Sequence, residues 1–519
     1  MKIKWESVKV IQQLKQREQG AVSKDWGGKL AIALAYPNRY EVAMSSLGFQ
    51  TIYALLNQMP AVVCERVFYG APGLSPEETA AVSWESQRPL DDFTVIAFSL
   101  SFEMDYLNVL HLLRSQGIPL SASQREDSSP LLIAGGPAVT ANPLPLSSIL
   151  DAVVVGEGEE VIPRVVQSLA ETVPDGRNAV IQSLAEIPGV YVPLLHGPFA
   201  DSQDHHPIQR QWVTDLDRYP THSVILSPDT EFGSMYLIEI ARGCRRRCPF
   251  CLAGHTYQPH RERSLESILS QMQTGLSYRK RIGLIAAAVS DYSQIDELVA
   301  AAREMGARLS VSSLRVRPLP ETLVRALSES GEQTLTIAPE AGSQRLRDLI
   351  QKGVREDDLF RAAELAQKYN LRQLKLYFMI GLPSEVEEDV VDIARLAKAV
   401  AGYFTRQITV NVTPFVPKAH TPFEREAMLP ETILAGRLNL LKGQLRAAGI
   451  SVRSDSPKEA IVQGVLARGD RSVSLALESL LAPTLKDWQR VLALAGLHPE
   501  DYLVSRSPHE GLPWQFIRQ

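Results

Sequence analysis

Short apolar runs alternate with amphipathic helical stretches along most of this chain, and that alternation narrows its possible folds more than any other feature. In the first part, Leu30–Tyr36, Thr94–Leu100, Leu131–Ala134 and Ala152–Val155 read as buried strands. A helical stretch follows the first of them, and after the second Leu107, Leu110, Leu112 and Leu113 line up as one apolar helix face. Strands joined through helices call for right-handed crossovers, which predicts a doubly wound parallel sheet. A polar segment containing His205-His206-Pro207 then separates this series from a second one. The second holds six strands: Met235–Ile240, Ile282–Ala288, Arg308–Ser312, Thr334–Ile337, Gln373–Met379 and Gln407–Val412. Six strand–helix units predict a partial (β/α)6 barrel with its chemistry at the C-terminal ends of the strands.

At 519 residues the chain is long enough for several cores. Its net charge of −5 runs against general nucleic-acid binding, which goes with a basic balance. The opening Met-Lys-Ile-Lys-Trp leads into no apolar run of the kind a signal peptide needs. No uncharged apolar stretch reaches the ~18 residues of a membrane span. A cytoplasmic protein without a membrane partner is expected. The four cysteines, at 64, 244, 248 and 251, agree with that setting, because a disulfide framework spreads its pairs along the chain. Three of them fall in one short loop, which reads as a metal site.

That loop runs Glu239-Ile-Ala-Arg-Gly-Cys244-Arg-Arg-Arg-Cys248-Pro-Phe-Cys251 and leaves the end of the first barrel strand. Three thiolates can each bind one iron of a cubane, leaving the fourth iron open to a small ligand. The alternative is a structural zinc site in which His255 completes a Cys3His set, making the protein a non-catalytic, zinc- or cluster-stabilised binding protein. Cys64, far from the loop, reads as a small buried hydrophobe.

The Cys-x-x-x-Cys-x-Phe-Cys loop at the end of a first barrel strand resembles the cluster motif of the radical S-adenosylmethionine superfamily. The resemblance implies an oxygen-sensitive enzyme with a 4Fe-4S cluster on Cys244, Cys248 and Cys251, and Phe250 in the cofactor-binding set. It also implies S-adenosylmethionine as cosubstrate, cleaved to a 5′-deoxyadenosyl radical, and an electron donor of the flavodoxin or ferredoxin type. Members usually carry a Gly-Gly-Glu-like stretch after the second strand to hold the cosubstrate's amino group. Here Val289-Ser290-Asp291-Tyr292 stands in its place, and Ser290 and Asp291 offer a hydroxyl and a carboxylate. Ser312 and Arg315, at the end of the third strand, suit the carboxylate and ribose. Glu340, in Ala338-Pro-Glu340-Ala-Gly342-Ser343, resembles the superfamily's Glu-x-Gly-Ser element and is a ribose or substrate ligand on that reading. Ser343 equally fits an ordinary helix N-cap. A proline-stiffened loop from Thr413 to Phe423 carries Lys418 and His420, read either as substrate contacts or as solvated loop residues.

The first sheet resembles the cobalamin-binding-type domain that precedes the barrel in one group of these enzymes. Gly135, Gly136 and Gly156 at its strand ends let backbone approach a ligand, and are also ordinary turn glycines. The Asp-x-His-x-x-Gly sequence that replaces the lower base of cobalamin is absent. Two readings stay open: cobalamin held without a histidine ligand, or a domain that has lost the cofactor and kept a substrate or docking role. Along nearly the whole chain, the resemblance extends to an uncharacterised subgroup through Leu34-Ala-Tyr-Pro37, Glu65-Arg66-Val-Phe68, Arg88-Pro-Leu90, Asp105-x-x-Asn108, Tyr257–Ser264, Ala467–Asp470 and Leu512-Pro-Trp514.

The expected organisation is thus α/β: a Rossmann-like unit over 1–195, a linker over 196–222, the barrel over 223–445 and a small helical unit over 446–519. The expected reaction is hydrogen abstraction or cobalamin-linked methyl transfer on a substrate the sequence does not name. Methylthio-type modification of RNA or protein is the alternative.

Overall fold

A computed structural model describes residues 5–79, 82–196, 207–312 and 314–519; His205 and His206 lie outside them. Its first sheet has six strands: β1 (Leu30–Arg39), β2 (Val62–Gly70), β3 (Val95–Ser99), β4 (Leu131–Gly135), β5 (Ala152–Val154) and β6 (Val190–Tyr191). They lie in the order β2-β1-β3-β4-β5-β6, parallel except for β6 against β5. The order reverses between β1 and β3, the switch point beyond which doubly wound sheets place their ligands. Every residue of β2 is buried, and seven of ten in β1, as in a parallel sheet covered on both faces.

β2 is absent from the sequence-based strand set because Glu65 and Arg66 interrupt its apolar run. The fold buries both by pairing them. Arg66 donates Nε to Glu85 and Nη2 to Glu18, each at 2.7 Å, and all three side chains are almost fully enclosed. Trp26 Nε1 donates to Glu65 at 2.8 Å. The Trp84 N–H donates to the Arg66 carbonyl at 2.8 Å, covering the open edge of the sheet.

The barrel begins with β7 (Met235–Glu239), β8 (Arg281–Ile285) and β9 (Arg308–Val311), all parallel. β10 (Thr334–Glu340), β11 (Gln373–Ile380), β12 (Gln407–Pro414) and β13 (Ser451–Ser454) form a parallel sheet of four. Among the described residues a single bridge, between Leu314 and Ile337, joins the two, giving an open, partial barrel. Along β10 and β11, Leu335, Ile337, Leu374, Leu376 and Phe378 are buried, while Thr334, Thr336, Lys375 and Tyr377 on the other face stay accessible. The lumen wall of these strands is therefore polar. β13 is a seventh strand lying past position 446, and its sequence, Ser-Val-Arg-Ser, carries no apolar run to announce it.

Helices Pro457–Arg468, Arg471–Leu477 and Leu485–Leu494 pack the C-terminal part onto the rest. Ser474 accepts from the Ser148 N–H at 2.9 Å, and Asn142 Nδ2 donates to the Gly469 carbonyl at 2.8 Å. One apolar core runs from Ala33, Phe98 and Leu110 through Leu284 and Leu376 to Leu477 and Trp488. The described part of the linker is pinned: Ile208–Gln209 pairs with Ile517–Arg518, and Gln211 bridges to Gly156. Among the described residues no helix is long and apolar enough to cross a membrane.

Candidate active site

The cysteine loop starts where β7 ends, at a turn only glycine permits. Gly243 has φ +80°, and a Cβ there would meet the Tyr257 carbonyl oxygen at 2.2 Å. Ala241–Arg242 pairs antiparallel with Arg261–Glu262, anchoring the loop's root. Cys248 is buried, Cys244 and Cys251 are partly so, and all three are free thiols. The Cys251 N–H donates to the Cys248 carbonyl at 3.0 Å, and Gln258 Nε2 donates to the Cys244 carbonyl at 2.7 Å. Burial pushes the Cys248 and Cys251 thiols up, and Lys352 and Arg315 act against it at Cys248.

His255, the fourth ligand of the zinc alternative, points Nε2 at the Cys248 carbonyl, 3.1 Å away. Among the described residues, no three His, Cys, Asp or Glu side chains are grouped to hold one metal ion. Cys244, Cys248 and Cys251 share one short loop after β7, and three thiolates on such a loop can each take one iron of a cubane. Phe250 packs with Met379 against Leu346, Leu382, Phe415 and Phe423, so it seats the loop over the ends of the later strands.

Charged groups ring this loop. Asp291 accepts both Nε and Nη2 of Arg246 at 2.9 Å, and Arg315 Nε stands 3.8 Å from the same carboxylate. Glu340, at φ +70° at the end of β10, accepts Lys352 Nζ at 2.8 Å. Arg315 Nη2 donates to the Lys352 carbonyl at 3.1 Å. Lys352 is the group that sequence reasoning missed, since it follows a short helix and belongs to no motif singled out there; it is nonetheless buried beside the thiols. Beside Asp291, the buried Ser290 hydroxyl has no hydrogen-bond partner among the described residues, an open donor and acceptor next to the ring. Ser312 is exposed at the end of β9. Ser343 caps the helix Gln344–Leu349, accepting from the Leu346 N–H at 3.3 Å.

Lys418 is neither solvated nor free. It donates to the buried Glu103 at 2.6 Å, and Gln463 donates to the other oxygen at 3.0 Å. This ties the loop after β12 to the first domain and the C-terminal helices. Nearby, burial pushes His420 down to about 4, which keeps it neutral. At the switch point, Asp105 accepts Asn38 Nδ2 at 2.8 Å, and burial pushes its carboxyl up to about 7.

Between the first sheet and the barrel rim lies a cavity of about 480 Å³. One sheet face supplies Ile32, Leu34, Val95, Ile133 and Val154; the helices Leu47–Gln58 and Val161–Thr172 supply Ile52, Leu56, Val165 and Leu169. The barrel side supplies Glu239, Arg242, Gly243, Ile285 and Ala286. Gly135, Gly136 and Gly156 all line it. At Gly136 (φ +112°) a Cβ would meet the Leu100 oxygen at 2.5 Å, and at Gly156 (φ +110°) the Gln211 oxygen at 2.1 Å. These two glycines are required by backbone packing within the protein, whatever the cavity holds.

The family model "Radical SAM proteins, N-terminal" matches residues 48–193, and that of the radical SAM superfamily matches 238–397. Uncharacterized protein MJ0966 of Methanocaldococcus jannaschii is 31% identical over 457 residues, 87% of this chain and 92% of its own. A tRNA-2-methylthio-N(6)-dimethylallyladenosine synthase of Sorangium cellulosum is 26% identical over 54% of this chain and 61% of its own. Among solved structures, the cobalamin-dependent S-adenosylmethionine radical enzyme OxsB, with aqua-cobalamin and S-adenosylmethionine bound, matches at a TM-score of 0.49. Identity there is 14%, over 91% of this chain and 62% of that one. On the near full-length match to MJ0966 and the two family models, the chain belongs to the radical SAM superfamily, the enzymes that use a 4Fe-4S cluster and S-adenosylmethionine.

Proposed function

We propose that Cys244, Cys248 and Cys251 hold the cluster and that the enzyme acts on a substrate placed between the barrel rim and the first domain. Hydrogen abstraction is the basal reaction of this reading, and methyl transfer follows where cobalamin fills the cavity. One observation carries it: Gly243, next to Cys244, lines the same cavity as the switch-point face of the first sheet.

When bound, a reduced cluster supplies the electron that splits S-adenosylmethionine into methionine and a 5′-deoxyadenosyl radical. The chain's own groups do the rest. The Ser290 hydroxyl and the Asp291 carboxylate offer acceptors for the methionyl ammonium, and Arg315 and Lys352 offer cations for its carboxylate. Glu340 and Ser312 offer oxygens to ribose hydroxyls. Phe250 keeps the loop seated. The aliphatic cavity wall keeps water from the reacting centre. Ser46, Leu47 and Gly48, after β1, line that wall with the aliphatic side chains, and these are the groups that would hold cobalamin by shape. The setting is cytoplasmic, with a flavodoxin- or ferredoxin-type donor.

The test is anaerobic reconstitution. The protein should take up about four irons per chain and, once reduced, release 5′-deoxyadenosine from S-adenosylmethionine. Hydroxocobalamin should give a saturable spectral change. A colourless protein holding one zinc would overturn the cluster reading, and an absent spectral change would overturn the cobalamin one.

A further inference from the structure

We infer that Arg242 is a positioning residue that ties the geometry of the cysteine loop to the docking of the first domain and to whatever fills the cavity. The inference rests on the cluster reading of the loop.

Arg242 lies two positions before Cys244 and is 12% exposed. Its Nη1 reaches across the domain boundary to Glu157 at 2.9 Å and Glu159 at 2.8 Å. Its Nε and Nη2 clamp both oxygens of Glu239, at the end of β7, at 2.9 Å each. Arg261 completes the pairing of Glu157 at 2.6 Å, and Arg263 that of Glu239 at 2.7 Å. Three arginines thus face three carboxylates in a closed, nearly buried group.

Its two sides are not equivalent. Glu157 and Glu159 sit on the Gly156–Glu159 turn after β5, which lines the cavity. Arg242 and Gly243 line it from the opposite side and continue directly into the first cluster ligand. A group pressing on the turn moves the carboxylates. The guanidinium must follow them, because a buried charge cannot be left unpaired without a large penalty. The fork geometry of arginine carries this motion; the point charge of lysine would not. By reciprocity, cluster assembly and cavity occupancy then change each other's affinity by one common factor.

Arg242→Lys keeps the charge and removes the fork. Its four irons should still assemble, but a chelator should strip them about tenfold faster, and the EPR signal of the reduced cluster should broaden. Wild-type chelation and a wild-type signal would overturn the inference, since a merely structural role would lower the melting temperature alone. Glu159→Gln tests the same link from the first domain and decides the matter if the lysine variant does not fold. The same two changes are expected from it, and neither appearing counts against the inference. Glu262→Gln is the charge control, neutralising a carboxylate that accepts from Arg245, His260 and Ser293 on the outer side of the loop. An equal effect from it would assign the change to charge alone and sink the inference. Hydroxocobalamin should bind wild-type protein several-fold differently with and without the cluster, and that difference should vanish in Glu159→Gln. Failure of wild-type protein to bind hydroxocobalamin counts against the cavity reading only, because chelation and EPR need no cavity ligand.

Discussion

The barrel rim and one face of the first sheet border the same cavity. They are built from opposite materials. The rim carries thiols ringed by Asp291, Arg315, Glu340 and Lys352, each charge answered by another. The sheet face carries aliphatic side chains, beside glycines whose conformation is dictated by neighbouring backbone. One surface is suited to polarising and ionising a ligand, the other to excluding water and fitting a contour. On the function proposed above, the chemistry belongs to the barrel and the first sheet decides what lies against it.

Separate substitutions should pull these two surfaces apart. Cys248→Ala should abolish 5′-deoxyadenosine formation, a loss of at least about a thousandfold given how much of the rate rests on the cofactor. Hydroxocobalamin should still bind, with altered affinity, by absorbance titration. Arg66→Leu strikes only the first domain, leaving Glu18 and Glu85 buried without their cation. It should cost about 3–5 kcal/mol, seen as early unfolding of the first sheet in hydrogen exchange while barrel amides stay protected. Ile133→Trp fills the cavity from the sheet side. Hydroxocobalamin affinity should fall about tenfold, roughly 1.4 kcal/mol, with S-adenosylmethionine cleavage retained.

A smaller effect, confined to a pH window, is expected at the switch point. The Asp105 carboxyl sits at about 7, above the carboxylate range of an unfolded chain, so the fold favours its protonated form. Its stabilising contribution is complete below about pH 4 and is lost as pH rises through about 7. Asp105→Asn should remove that slope, giving a melting temperature above wild type at pH 8 and nearly equal at pH 4. An unchanged slope would show that burial of this carboxyl has no bearing on the comparison.

The same contrast of materials explains what could be read in the sequence. Six of the seven barrel strands announce themselves in the sequence, and the three thiols do so by their spacing. β2 does not, because its Glu65 and Arg66 are buried by partners 18 and more positions away, such as Ser83 and Glu18, which no periodicity reveals. β13 is short and polar. Lys352 belongs to no run and gains meaning only when folding brings it to Glu340. Gly136 and Gly156 were legible as special, but the cause is a carbonyl of the protein itself. Lys418 looks like a loop lysine until Glu103 is placed beside it.

The pairing of Ile208–Gln209 with Ile517–Arg518 carries a consequence for how the molecule is put together. Its two halves are separated by 309 positions, as Gln209 and Arg518 are, and the next residues run to Gln211 against Gly156 on the cavity turn. Contacts of such long separation form late. On a ribosome this strap has no partner until residue 518 has been made, by which time both sheets can already have formed. The last contact to settle is then the one that backs the cavity turn at Gly156.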